Sequence, residues 1–337
     1  MRHKVRIEPS GHEFQVEAGE TVLDAALRQG FAFPYGCRNG ACGSCKGKLL
    51  DGEVKYGAQL PPGLSDDDLA RGFALFCSAV PAADLVIEVR EIGAAKDIPV
   101  KTLPCRVAKL ERLNHDVMRM SLKLPATERL QYLAGQYIDV LLKDGRRRSF
   151  SIANAPHDDQ FLELHVRHVP GGRFTDEVFG SLKEKAILRF EGPLGSFFLR
   201  EDSNRPIILM AGGTGFAPLK GIVEHAIAEG MTRPMHLYWG ARAREDLYLH
   251  DLALGWVQQH TNIQYTPVLS EPMPGDGWEG RTGYVHEAIL ADHADLSEYE
   301  IYASGPPAMI AAGREQFPSH GLSLDNFYCD SFEYAKD

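Results

Sequence analysis

Cys37-x4-Cys42-x2-Cys45, with Cys77 far downstream, constrains this chain more than any other feature. Two bridged irons need four thiolates, and a loop that supplies three of them must fold tightly around the cluster. Gly36, Gly40 and Gly43 interleave with these cysteines. Positive φ and bare N–H groups aimed at sulfur are useful there. The spacing therefore predicts a [2Fe–2S] centre held by Cys37, Cys42, Cys45 and Cys77. A four-cysteine zinc site is the competing reading, although such sites usually show two CxxC knuckles. A disulfide framework is a weaker one. Cys105 and Cys329 lie outside the loop and read as small buried hydrophobes.

The segment before the loop bears on the state of those thiols. Met1-Arg2-His3-Lys4-Val5-Arg6-Ile7 alternates polar and apolar residues and has no apolar core of a signal peptide. The expected location is the cytoplasm, where thiols stay reduced and clustered cysteines bind metal. No apolar run approaches membrane-spanning length, the strongest being Pro206-Ile207-Ile208-Leu209-Met210. A net charge of −10 disfavours a nucleic-acid partner, which wants a basic face.

The 337 residues leave room for two or three domains. Residues 1–93 read as short strands with one amphipathic helix, Thr21 to Gln29. Residues 94–104 lack periodicity and read as a linker. Residues 105–203 alternate as an antiparallel barrel does, at Val117–Leu122, Tyr137–Leu142, Arg148–Ala153 and Phe161–Val166. Residues 204–337 alternate apolar strands (Ile207–Ala211, His236–Gly240, Tyr265–Leu269, Ile301–Ser304) with helices (Leu219–Ala228, Ala308–Phe317). That rhythm implies a parallel sheet. The predicted architecture is an N-terminal β-grasp domain, an antiparallel β-barrel and a C-terminal parallel α/β nucleotide-binding domain.

Arg148-Ser149-Phe150-Ser151, Gly192-Pro193-Leu194-Gly195 and Ala211-Gly212-Gly213-Thr214-Gly215-Phe216-Ala217-Pro218 follow one another in that order. With the cysteine loop they resemble the ferredoxin–NADP reductase superfamily, in the branch that carries a plant-type ferredoxin domain first. The resemblance implies that Arg148 neutralises the FAD pyrophosphate, Phe150 packs on the isoalloxazine and the Ser151 hydroxyl approaches the redox-active nitrogen. These roles make physical sense as a fork for phosphate, a flat face for a flat ring and a donor at the reacting atom. His165-Val166-Arg167 and Gly171-Gly172-Arg173-Phe174-Thr175 resemble the second flavin motif, which adds His165, Arg167, Gly172 and Thr175 to the cofactor set.

The same resemblance makes Gly212, Gly213, Thr214 and Gly215 the turn that holds the dinucleotide pyrophosphate. Ser304-Gly305-Pro306-Pro307-Ala308-Met309 matches the motif beside the nicotinamide, with Ser304 where many relatives have Cys. Phe332, in the tail Tyr328-Cys329-Asp330-Ser331-Phe332, either covers the flavin or is a frayed aromatic. Ser151, Ser304 and Phe332 are thus the residues expected at the hydride-transfer centre. The loop Ala241–Tyr248 carries Arg242, Arg244, Glu245 and Asp246 but no Ser or Thr, which favours NADH, with NADPH as the alternative.

The order of domains is that of oxygenase reductase components. The segments Tyr132–Asp139, Arg148–Pro156 and the Asp-Ser-Phe tail are most similar to the CDP-6-deoxy-3,4-glucoseen reductases, which feed a dehydratase. The implied activity is an NAD(P)H-dependent reductase that passes electrons from NADH through FAD and the [2Fe–2S] cluster to a protein acceptor. That acceptor is a dehydratase or an oxygenase component. A redox sensor, or a self-sufficient NADH oxidase or flavin reductase, is the rival reading.

Overall fold

The computed structural model describes residues 2–92, 98–275 and 277–332. The chain divides into two compact units, one comprising residues 1–99 with 195–197 and the other comprising the remainder.

In the first unit a five-stranded sheet runs in the order Glu13–Val16, His3–Glu8, Leu85–Glu88, Lys46–Asp51 and Phe73–Leu75. His3–Glu8 pairs antiparallel with Glu13–Val16 and parallel with Leu85–Glu88. The helix Val22–Arg28 buries Val22, Leu23, Ala25 and Ala26 in a core shared with Val5, Ile7 and Phe14, and a second, short helix that the sequence did not announce runs over Asp66–Ala70. Thr21 caps the first helix, its side chain accepting from the Asp24 backbone N–H. This is the expected β-grasp fold, and the expected ends Thr21 and Gln29 are the helix caps.

The second unit opens with an antiparallel sheet of six strands. Their order is Arg147–Ser151, Tyr137–Leu141, Ile187–Leu194, Lys101–Arg112, Val117–Lys123 and Leu162–Arg167. A bridge between Ile152 and Leu164 joins the two outer strands, so the sheet closes into a barrel. Leu103, Cys105 and Val107 point inward along the longest strand. That strand begins at Lys101, inside the stretch expected to be linker, because the inward alternation already runs through Leu103. Pro104, exposed between two buried neighbours, masks it in the sequence. Residues 93–97 of the expected linker lie outside the described residues.

The rest of the unit is a fully parallel sheet. Ile207–Gly212 is buried at every position and lies between Met235–Ala241 and Glu300–Gly305. Ile263–Leu269 and Arg281–Thr282 extend one side and Phe327–Ser331 the other. The first helix starts at Phe216, three residues earlier than periodicity suggests. Its Pro218 sits in the first turn, where a missing N–H costs nothing. No helix among the described residues is long and apolar enough to cross a membrane.

Candidate functional site

The cysteine loop is built from main chain. Gly40 adopts φ +83°, and a Cβ there would fall 2.6 Å from Pro61 Cβ and 2.8 Å from Ser78 Oγ. Only glycine fits that turn. Backbone N–H groups converge on sulfur: Cys42 N–H donates to Cys37 Sγ (3.3 Å), and Ser44 N–H to Cys42 Sγ (3.5 Å). The thiols associate in two pairs, Cys37 with Cys42 and Cys45 with Cys77. The thiol hydrogen bond from Cys37 holds Cys42 down at about 5, and that from Cys45 holds Cys77 at about 7. The bonds they donate, together with burial, push Cys37 and Cys45 up. Each bond thus holds one thiol of its pair toward the thiolate, the form that ligates iron. Four buried or half-buried thiols with N–H groups aimed at sulfur fit a [2Fe–2S] cluster.

The second unit gathers its polar residues at the carboxyl ends of the parallel strands, where ligands bind in open α/β sheets. Register places Ser304 between Ala211 on one neighbour and Asp330 on the other. From the barrel, the Ser151 hydroxyl donates to Asp330 Oδ2 at 3.0 Å. Ser304 is wholly buried, yet its hydroxyl has no hydrogen-bond partner. Such an orphan is what the polar edge of a bound ring would satisfy. The Phe332 N–H donates to Gly305 O at 2.9 Å, which holds the half-buried tail against the same strand end. Ser151, Ser304 and Phe332 are therefore brought together. On the barrel strand, Phe150 packs on Phe174 with ring centroids 5.5 Å apart, and Arg148 is half-buried. The Thr175 hydroxyl donates to Val169 O and fixes the Gly171–Gly172 loop.

A cavity of about 510 Å³ adjoins the glycine turn Gly212–Thr214. The turn is compressed to make room: a Cβ on Gly215 would fall 1.9 Å from Ser304 O. Arg242, Asp246 and Tyr248 line the cavity, as does Pro306. Glu245 points outward, with its side chain 73% exposed. Arg167 and His165, both expected at the flavin, make contacts of another kind. Arg167 lines this nucleotide cavity, its Nη1 3.6 Å from where a Gly213 Cβ would be, and its Nε donates to Asp116 Oδ2 at 2.7 Å. His165 is buried with both ring nitrogens occupied, Nε2 toward Glu163 (2.8 Å) and Nδ1 toward the Tyr248 hydroxyl (3.0 Å). Burial lowers its pKa, so the ring is neutral and donates from Nε2 to the carboxylate.

Sequence reasoning passed over Asp116 and gave Asp330 no role of its own. Asp330 lay within the quoted tail, and its place beside Ser304 shows only in the strand register. Asp116 carried no signal.

Three family profiles cover the chain in sequence. They are a 2Fe-2S iron-sulfur cluster binding domain over residues 5–82, an oxidoreductase FAD-binding domain over 104–199 and an oxidoreductase NAD-binding domain over 209–315. A CDP-6-deoxy-L-threo-D-glycero-4-hexulose-3-dehydrase reductase of Yersinia pestis is 44% identical over the whole of both chains. Reductase component 2 of terephthalate 1,2-dioxygenase from a Comamonas species is 34% identical, with 98% of each chain covered. Among solved structures, the Amycolatopsis cytochrome P450 reductase GcoB matches with a TM-score of 0.79 at 34% identity, covering 98% of both chains.

Proposed function

The chain belongs to the ferredoxin-first iron–sulfur flavoprotein reductases of the ferredoxin–NADP reductase superfamily, and from that premise we propose that its donor is NADH and its acceptor a dehydratase acting on a nucleotide-linked deoxyhexulose. Membership makes it an NAD(P)H-dependent electron-transfer oxidoreductase with a [2Fe–2S] cluster and FAD. When bound, FAD takes two electrons from a nicotinamide as hydride and releases them singly, and the cluster carries one at a time.

The chain's own residues bind and orient. Arg148 presents a guanidinium to the FAD phosphates, and Phe150, backed by Phe174, presents a flat face to the ring. Asp330 fixes the direction of the Ser151 hydroxyl. The bare N–H groups of Gly212–Gly215 and the start of the helix Phe216–Ala228 hold the dinucleotide phosphates. Arg167 faces them across the cavity, aimed by Asp116. Asp116 and Asp246 on the cavity wall disfavour a ribose carrying an extra phosphate. No general base is required.

The observation that carries the acceptor is full-length identity of 44% to a hexulose dehydrase reductase, against 34% to an oxygenase reductase. The test is NADH or NADPH oxidation by the purified protein, mixed in turn with a CDP-hexulose dehydrase and its sugar substrate under argon, and with an oxygenase component, its substrate and O2. Turnover with the dehydrase is expected. Turnover with the oxygenase component alone overturns the acceptor. A kcat/KM tenfold in favour of NADPH, about 1.4 kcal/mol, overturns the donor.

A further inference from the structure

One buried charge takes part in none of the binding described so far. Lys220 lies within the second turn of the nucleotide helix, just beyond the glycine turn, and its side chain is 7% exposed. Its ammonium donates to Ala153 O (3.2 Å) and to Glu224 Oε2 (2.9 Å), and it stands 3.2 Å from Glu163 Oε1. Ala153 follows Ser151 by two residues, in the tail of the flavin strand. That tail is itself pinned. Ala153 N–H donates to Glu163 O, Asn154 accepts from the Glu163 N–H, and the Tyr132 hydroxyl donates to Asn154 O.

The next helix residue presses backbone on backbone. A Cβ on Gly221 would lie 3.0 Å from Asn154 O and 3.4 Å from Ile152 O. Behind Glu163 stand His165 and then Tyr248 of the nucleotide domain. Glu163 is held at about 2: burial alone would raise it, and the bonds from His165 and Lys220 more than offset that. It is a carboxylate at every working pH, and it faces a cation.

We propose that the Lys220 clasp, with the bare contact at Gly221, is a positioning device that sets the nicotinamide against the flavin. The inference rests on the electron-transfer reading above. One rigid element carries both the phosphate-binding turn and Lys220, and the strand tail it grips continues directly from Ser151. The helix therefore cannot slide along the barrel without breaking the clasp. Hydride transfer is sensitive to such slippage, because a misplacement of about 1 Å can cost on the order of a hundredfold in rate. Removing the cation also leaves Glu163 and Glu224 facing each other without a counterion, which drives the two domains apart.

Two substitutions test it by opposite means. Lys220→Met keeps the apolar stem and removes the clasp, whereas Gly221→Ala keeps every charge and wedges the contact. Stopped-flow reduction of the flavin by NADH is expected to slow about tenfold in each, with NADH affinity and FAD content unchanged. Two further readouts report geometry without turnover. The nicotinamide–flavin charge-transfer absorbance should weaken on adding NAD⁺ to reduced protein. Hydrogen exchange at residues 152–154 should quicken in protein free of nucleotide.

A fall smaller than threefold in both variants, with the absorbance band intact, overturns the clasp. If Lys220→Met fails to retain FAD, Gly221→Ala decides by the same threshold. A wild-type flavin that neither NADH nor NADPH reduces would fell the electron-transfer reading and the clasp together. Normal wild-type reduction with unaffected variants fells the clasp alone.

Discussion

The cysteine loop and the hydride site solve the problem of placing reactive groups in opposite ways. In the loop, three of the four sulfur ligands come from Cys37 to Cys45, and the main chain orients them through N–H groups and a left-handed glycine. At the proposed hydride site Ser151, Ser304 and Asp330 come from three strands of two domains, and a buried lysine between two carboxylates joins those domains. A site built locally fails all at once when one ligand is lost. A site assembled at long range degrades by degrees, because each contact supports only part of the geometry.

Cys42→Ser should break the first kind outright. Cytochrome c reduction is expected to fall by about a hundredfold or more, because iron needs the thiolate. Ferricyanide, which takes electrons from flavin directly, should still be reduced within about twofold of the wild-type rate. Unaltered cytochrome c reduction by protein lacking cluster absorbance would dissolve the contrast between the two sites.

Arg148→Ala probes the assembled site at its phosphate end. Losing a charge-assisted contact of roughly 1.5–3 kcal/mol should weaken FAD binding by about tenfold or more while leaving the cluster spectrum intact. Flavin release on dilution measures it. Retention equal to wild type would remove Arg148 from the site.

The smallest effect concerns acid. Glu163 and His165 both have folded values below their ordinary ones, Glu163 through its hydrogen bonds and His165 through burial. Each therefore stabilises the fold above its ordinary value, and that contribution is lost as pH falls, first near 6.5 for His165 and then toward 2 for Glu163. Glu224, raised by burial, acts in the opposite sense and partly offsets the loss. His165→Gln should flatten the fall in melting temperature of the flavin–nucleotide unit between pH 7.5 and 5.5 by roughly 2–4 °C. An unchanged pH dependence would show that the His165 ring carries no part of it.

The reductase class, the fold class and the cofactor set were legible in the sequence because their signals are local or periodic. The CxxxxCxxC loop, the glycine turn and the alternating strands each declare themselves within a dozen residues. Strand ends were harder. Periodicity located Ile207 well, whereas the exposed Pro104 hid the early start at Lys101. Lys220, Asp116 and Glu163 were unreadable because a single charged residue reads as surface until a structure shows what covers it. Arg167 was found by motif and assigned to the flavin, and the fold sets its guanidinium beside the Gly212–Thr214 turn.

The Trp239 indole stacks face to face on Phe216, 3.9 Å between centroids and 6° from parallel, and donates its N–H to Gly213 O at 3.0 Å. Its hydrogen bond thus ends on Gly213, the left-handed residue of the glycine turn. Indole emission responds to polarisation of that N–H and to the field of charges nearby. Occupancy of that turn is therefore expected to shift the emission of Trp239, read by titrating the unlabelled protein with nucleotide against a Trp239→Phe control.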